Sequence, residues 1–225
     1  MPEPRAPLLL LHGALGSAAQ LAPIAAALGG AAVFEFPGHG ATPLGTCAFG
    51  VDGFVAALAA QVGAQRPHVF GYSMGGYVAL ALEARVPGTF ASITTLGTKF
   101  EWTPATAARE VARLDADRIS AKVPRFAALL AERHAGCGGW EAVLRNTAQL
   151  LTAIGASPLL DATTLGQLRL PVHLAVGALD DTVDAAETVR VAALIPGAHT
   201  STLDGVPHPI EQVPLAVLRA LLVST

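Results

Sequence analysis

The chain has 225 residues, of which 52% are hydrophobic, and 14 Lys and Arg stand against 17 Asp and Glu. That length suits one domain with room for an insertion, and a formal charge of −3 leaves no basic footprint for nucleic acid. Mean hydropathy is high at +0.50, yet no apolar run approaches the roughly 18 residues that a membrane-spanning helix needs.

Strand and helix signals alternate from the start. Pro7–Leu11 reads as a strand, and its apolar run is too short for a signal peptide and ends in His12-Gly13 without a small-residue cleavage pattern. A cytoplasmic protein is therefore expected. Ser17 is placed to cap a helix that ends at Gly29-Gly30. A second strand follows over Ala31–Phe36, and Asp52 is the expected cap of a helix over Gly53–Gly63. Pro67–Tyr72 and Ser92–Gly97 read as strands on either side of a helical run beginning at Tyr77. From Thr98 to about Gly166 there is no strand signal. Helices are expected there over 104–114, 124–135 and 140–154, the first opened by a Thr103 cap with proline at its first position. Alternation then resumes with strands Pro171–Gly177 and His199–Asp204. Between them Asp184 and Glu187 have the spacing of a capping box for a helix stopped at Pro196-Gly197.

Several of these strands, such as Val172–Val176, are continuously apolar. Such runs suit parallel strands covered on both faces. The expected fold is a doubly wound parallel sheet of about six strands, with residues 1–97 and 167–225 as its core domain. Residues 98–166 are the expected helical cap, inserted over the carboxyl ends of the strands, where ligands bind in open α/β sheets. The two cysteines, Cys47 and Cys137, lie far apart without metal-ligand spacing and read as free thiols.

The chemistry centres on Gly71-Tyr72-Ser73-Met74-Gly75-Gly76, between a strand and a helix. A Gly-x-Ser-x-Gly at that junction makes a nucleophile elbow. The turn is tight enough to demand small flanking residues, and the serine Oγ sits exposed at its tip. The plainer reading, Ser73 as a helix N-cap, has the same local sequence. Downstream, Gly177-Ala178-Leu179-Asp180-Asp181 puts acids past a strand end, and Pro207-His208-Pro209 puts a histidine after the last strand. Asp181 competes with Asp180, and His199 competes with His208. The order Ser73, Asp180, His208 is one of three known orders for a serine triad. Backbone N–H groups of Ala14 and Met74 are placed to form an oxyanion hole. His12 and His39 read as structural. His68, His134 and His173 have no partner by spacing, and the arginines of the inserted helices read as solvated faces.

These motifs resemble the α/β-hydrolase family. The resemblance rests on Leu11-His12-Gly13, Phe36-Pro37-Gly38-His39-Gly40, the elbow, Gly177–Asp180 and His208, and covers almost the whole chain. It implies an α/β-hydrolase fold in a trimmed form, because members usually carry two further strands before the His-Gly strand. It also implies a serine hydrolase of small carboxylic esters, with Ser73, His208 and Asp180 as triad and no metal or organic cofactor. Within the family the elbow is similar to that of a menaquinone-pathway synthase, a lyase. That enzyme has an arginine four residues after the serine, where this chain has Tyr77. Tyr77 and Trp102 are the candidate substrate contacts. C–C bond hydrolysis and lyase chemistry remain alternatives on the same triad, as does a non-turnover small-molecule receptor. The partner expected is a small acyl substrate, bound by a monomer or homodimer.

Overall fold

The computed structural model describes residues 6–223. Its six strands are β1 (Leu8–Leu11), β2 (Ala32–Phe34), β3 (His68–Tyr72), β4 (Ser92–Leu96), β5 (Val172–Leu179) and β6 (His199–Pro207). They form one parallel sheet in the order β2-β1-β3-β4-β5-β6. The chain leaves β1 for β2 on one side and then returns to β3 on the other, where Leu11 sits in register with Gly71. Connections thus diverge between the ends of β1 and β3, which opens a crevice at that switch point.

The strands β1, β3, β4 and β5 alternate their side chains between two apolar layers, while the edge strand β6 is mostly polar and exposed. Leu9, Leu11 and Val69 face one layer, where they meet α2 (Val51–Val62) and α3 (Met74–Arg85) through Leu58, Val78 and Leu82. Leu10, Phe70 and Tyr72 face the other, against Leu21 and Ile24 of α1 (Ala18–Ala27) and Leu218 and Leu221 of α10 (Leu215–Val223). This period of two explains why the strands read as unbroken apolar runs: both faces are covered.

Five helices lie between β4 and β5: α4 (Pro104–Val111), α5 (Ala116–Lys122), α6 (Pro124–Arg133), α7 (Trp140–Ala156) and α8 (Ala162–Leu165). The Thr103 cap forms as expected, reciprocated by the Thr106 side chain. Helices α5 and α8 were not expected. They are short and begin at Asp115 and Asp161, whose side chains accept from Arg118 and Thr164 N–H groups. A helix α9 (Ala185–Ala192) joins β5 to β6, and a 3-10 turn (Ile210–Gln212) precedes α10.

Two capping expectations need correction. Helix α2 begins after Gly50, and Asp52 lies inside its first turn, where it pairs with Arg85 of α3. Asp184 does cap α9, but Glu187 does not complete the box. Its buried carboxylate instead accepts from the Phe100 and Glu101 N–H groups and from Lys99 Nζ. Those three bonds tie α9 to the segment that leaves β4. No helix among the described residues is long and apolar enough to cross a membrane.

Candidate active site

At the end of β3 the chain turns at Ser73 with φ 52° and ψ −117°. A non-glycine residue in that region is strained by about 1–3 kcal/mol and persists only where its surroundings impose it. Here the Ser73 N–H donates to the Leu96 carbonyl at 2.9 Å, and Thr98 Oγ1 donates to the Ser73 carbonyl at 2.9 Å. The flanking glycines are required by close approach. A Cβ on Gly71 would lie 2.4 Å from Gly76 Cα, and one on Gly75 would lie 2.6 Å from the Leu11 carbonyl oxygen. The Ser73 side chain makes no capping bond to α3, so the N-cap reading has no support in the geometry.

β5 carries a register shift between Gly177 and Leu179 and releases the chain at Asp180. The Asp180 carboxylate is buried. Its Oδ1 accepts from the Thr182 and Val183 N–H groups, each at 2.8 Å. Its Oδ2 lies 2.8 Å from His208 Nδ1. A carboxylate only accepts, so Nδ1 carries the proton and Nε2 is left as the free lone pair. Asp181 is exposed and bonds only within its own loop, to Thr182. His199 opens β6, in register with His173, at the opposite end of the strands from Ser73.

The turn after β1 has its carbonyls fixed one after another. His12 Nδ1 donates to the Gly13 carbonyl at 2.8 Å, as does the Gly16 N–H at 3.0 Å. His39 Nε2 donates to the Ala14 carbonyl at 2.9 Å. Arg133 Nη1 and His134 Nε2, both from the end of α6, donate to the Leu15 carbonyl at 2.8 and 3.3 Å. A trans peptide points its N–H opposite its carbonyl. Fixing the Gly13 carbonyl therefore fixes the direction of the Ala14 N–H. The other expected donor, Met74 N–H, is at the first position of α3, where no intrahelical acceptor exists.

Ser73, Met74, His208 and Ala14 all line one cavity of about 860 Å³ under the inserted helices. Tyr77 and Trp102 line it too. Tyr77 Oη accepts from the Leu159 and Leu160 N–H groups, and Trp102 Nε1 donates to the Lys99 carbonyl.

The sequence model of the alpha/beta hydrolase fold family matches residues 6–190. The chain belongs to this family. No curated protein matches the sequence of this α/β hydrolase. Among solved structures it is similar to NosK from Streptomyces actuosus, at 20% identity and a TM-score of 0.81 over 98% of this chain and 97% of that one. It is also similar to the enol-lactonase from Burkholderia xenovorans LB400 (18%, TM-score 0.72, 99% and 94% covered). A third is 2-hydroxy-6-oxo-6-phenylhexa-2,4-dienoate hydrolase from Rhodococcus sp. strain RHA1 (20%, TM-score 0.71, 97% and 90% covered). At these identities the likeness is one of fold.

Other residues of this α/β hydrolase are not where the sequence put them. Arg133 was expected on a solvated face. Its side chain is instead 9% exposed and bonds Leu15 and Glu211. The three histidines without partners by spacing all have them: His68 with Ser92 Oγ, His173 with Ser201 Oγ, and His134 with the Gly40 N–H and Leu15. Burial, and then the nearby His12, push His39 down to about 3, and burial pushes His134 down to about 4. Both rings are therefore neutral near pH 7: His134 accepts at Nδ1 and donates at Nε2, while a neutral His39 donates to the nearer Ala14 carbonyl and not to the Pro37 carbonyl, 3.3 Å from its Nδ1. Cys47 and Cys137 are free thiols. Among the described residues, no group of three or more His, Cys, Asp or Glu side chains is placed to hold a metal.

Proposed function

We propose that the protein is a serine hydrolase that cleaves a small carboxylic ester or a related acyl bond. The observation that carries this reading is the 2.8 Å bond from His208 to a buried, doubly hydrogen-bonded Asp180, with His208 opening into the same cavity as the strained Ser73. Ser73 Oγ attacks the carbonyl carbon while His208 Nε2 takes its proton. Asp180 holds the ring and stabilises the imidazolium. The carbonyl oxygen becomes an oxyanion that accepts from the Ala14 and Met74 N–H groups, each supplying about 3–4 kcal/mol. His208 then protonates the leaving alcohol. Water adds to the acyl-enzyme, gives its proton to His208, and the carboxylic acid departs with Ser73 restored. None of these steps calls for a metal or organic cofactor.

Helices α4–α7 serve in this reading as a lid that sets acyl and alcohol specificity. Tyr77 and Trp102 are the proposed substrate contacts, Trp102 through its ring because its Nε1–H already donates to the Lys99 carbonyl. The test is turnover of p-nitrophenyl esters of graded chain length, with fluorophosphonate labelling. Ser73→Ala is expected to lower kcat by on the order of 10⁴–10⁶ and abolish labelling. Asp180→Asn should cost on the order of 10³–10⁴ by misplacing the His208 proton, and Asp181→Asn less than about tenfold. A Ser73→Ala protein with the wild-type rate overturns the mechanism. Labelling followed by at most one turnover supports a receptor instead.

A further inference from the structure

One wall of the cavity is a face of α7. Thr147, Leu150, Leu151 and Ile154 recur at helical spacing and all line the cavity. Three are apolar. The fourth, Thr147, is 1% exposed, and its Oγ1 has no hydrogen-bond partner among the described residues. A buried hydroxyl without a partner is unfavourable in the free protein, and a ligand group that bonds it recovers that loss. The cations that line the rest of the cavity are already matched. Lys99 is held by Glu187, Arg113 by Glu110 and Arg133 by Glu211. The cavity therefore offers a mostly apolar surface, no unmatched Lys or Arg for a substrate carboxylate, and two lining residues with an unpartnered buried polar atom, Gln20 Oε1 and Thr147 Oγ1, of which only the Thr147 hydroxyl can donate.

We propose that Thr147 is the polar subsite of the acyl pocket, selecting an uncharged, apolar acyl chain that carries one hydrogen-bonding group such as an oxo or ether oxygen. The inference rests on the acyl-hydrolase reading above and deepens it. A carbonyl or ether oxygen on the chain accepts from Thr147 Oγ1, while the neighbouring methylenes pack on Leu150, Leu151 and Ile154. A plain chain of the same length leaves the hydroxyl unmet, and a chain ending in a carboxylate finds its countercharges taken.

The test is a positional series of p-nitrophenyl oxo-octanoates and the parent octanoate, assayed with wild type, Thr147→Val and Thr147→Ser. At the best oxo position, the ratio of kcat/KM for the oxo ester to that for the parent is expected to fall about five- to tenfold in Thr147→Val and to recover in Thr147→Ser. The melting temperature of Thr147→Val is expected to hold or rise, because a buried hydroxyl that bonded its own helix would lower it on removal. Calorimetric binding of the matching N-methyl amides, which are not turned over, repeats the comparison without catalysis. If wild type fails on every ester, the acyl-hydrolase reading falls, and the amides still decide the role of Thr147. The same oxo-to-parent ratio in wild type and Thr147→Val at every position, in esters and amides alike, overturns the subsite.

Discussion

The Tyr72 hydroxyl donates to the main-chain carbonyl of His208 at 3.0 Å, across 136 residues of chain. Tyr72 directly precedes Ser73, so the residue beside the proposed nucleophile holds the backbone of the proposed base. Burial, and behind it the charges of Glu211 and Asp180, push this phenol above its ordinary range and keep it a donor. Tyr72→Phe removes the bond and leaves a carbonyl unmet. A stability loss of about 1–2 kcal/mol is expected, with kcat lowered about three- to tenfold and KM little changed. Urea unfolding and steady-state kinetics on one ester check both.

After the elbow glycines, Gly97 is the second place where the proposed triad depends on something small. Its φ is +63°, and a Cβ there would lie 3.0 Å from Asp180 Oδ2 and 3.1 Å from His208 Nδ1. Gly97→Ala is expected to cost about 1–2 kcal/mol through its backbone conformation. Displacing the imidazole should lower kcat/KM by about 100-fold. If activity survives in a folded Gly97→Ala protein, His208 tolerates more movement than this packing allows.

Glu187 predicts a large stability effect away from the chemistry. It is 4% exposed, and it is the acceptor for the half-buried Lys99 ammonium and for two backbone N–H groups. Glu187→Ala leaves all three donors unmatched and is expected to cost about 3–5 kcal/mol in guanidinium unfolding. Adding Lys99→Met should recover part of that loss.

Acid should destabilise the fold through its neutral histidines. Burial first, with His12 or His199 nearby, holds His39 at about 3 and His173 at about 4, and burial holds His134 at about 4. An unfolded histidine takes its proton near 6.5, so between that pH and the folded values the unfolded chain binds more protons. Stability is full above the unfolded value and is lost as pH falls through that window. His39 alone should account for about 2 kcal/mol between pH 7 and 5. Urea midpoints at the two pH values, in wild type and His39→Gln, measure the difference.

The inner strands were legible because β1, β3 and β5 are short, mostly apolar runs buried on both faces, and the edge strand β6, which is largely polar and exposed, was legible from the turn residues around it. The elbow was legible because Gly71 and Gly75 are demanded within a few residues of Ser73. The Asp180–His208 bond was foreshadowed by the places of both residues after strand ends. Helices α5 and α8 escaped because they are too short to show a period. Arg133, Tyr72 and Glu187 escaped for a different reason: their partners lie 118, 136 and about 87 residues away, and only packing brings them together. Glu187 had even the right spacing for a cap, and the tertiary partners outcompeted it.

The two α6 side chains on the Leu15 carbonyl have a consequence for redesign. In the proposed mechanism the inserted helices are not an exchangeable module, because Arg133 and His134 fasten the Leu15 carbonyl of the turn whose Ala14 N–H is the proposed oxyanion donor. Grafting another roof onto the sheet would unfasten that turn, whatever pocket the new roof made. On that reading, variation in substrate choice is open to the inner stripe of α7 and to α4 and α5, while Arg133 and His134 stay with the turn.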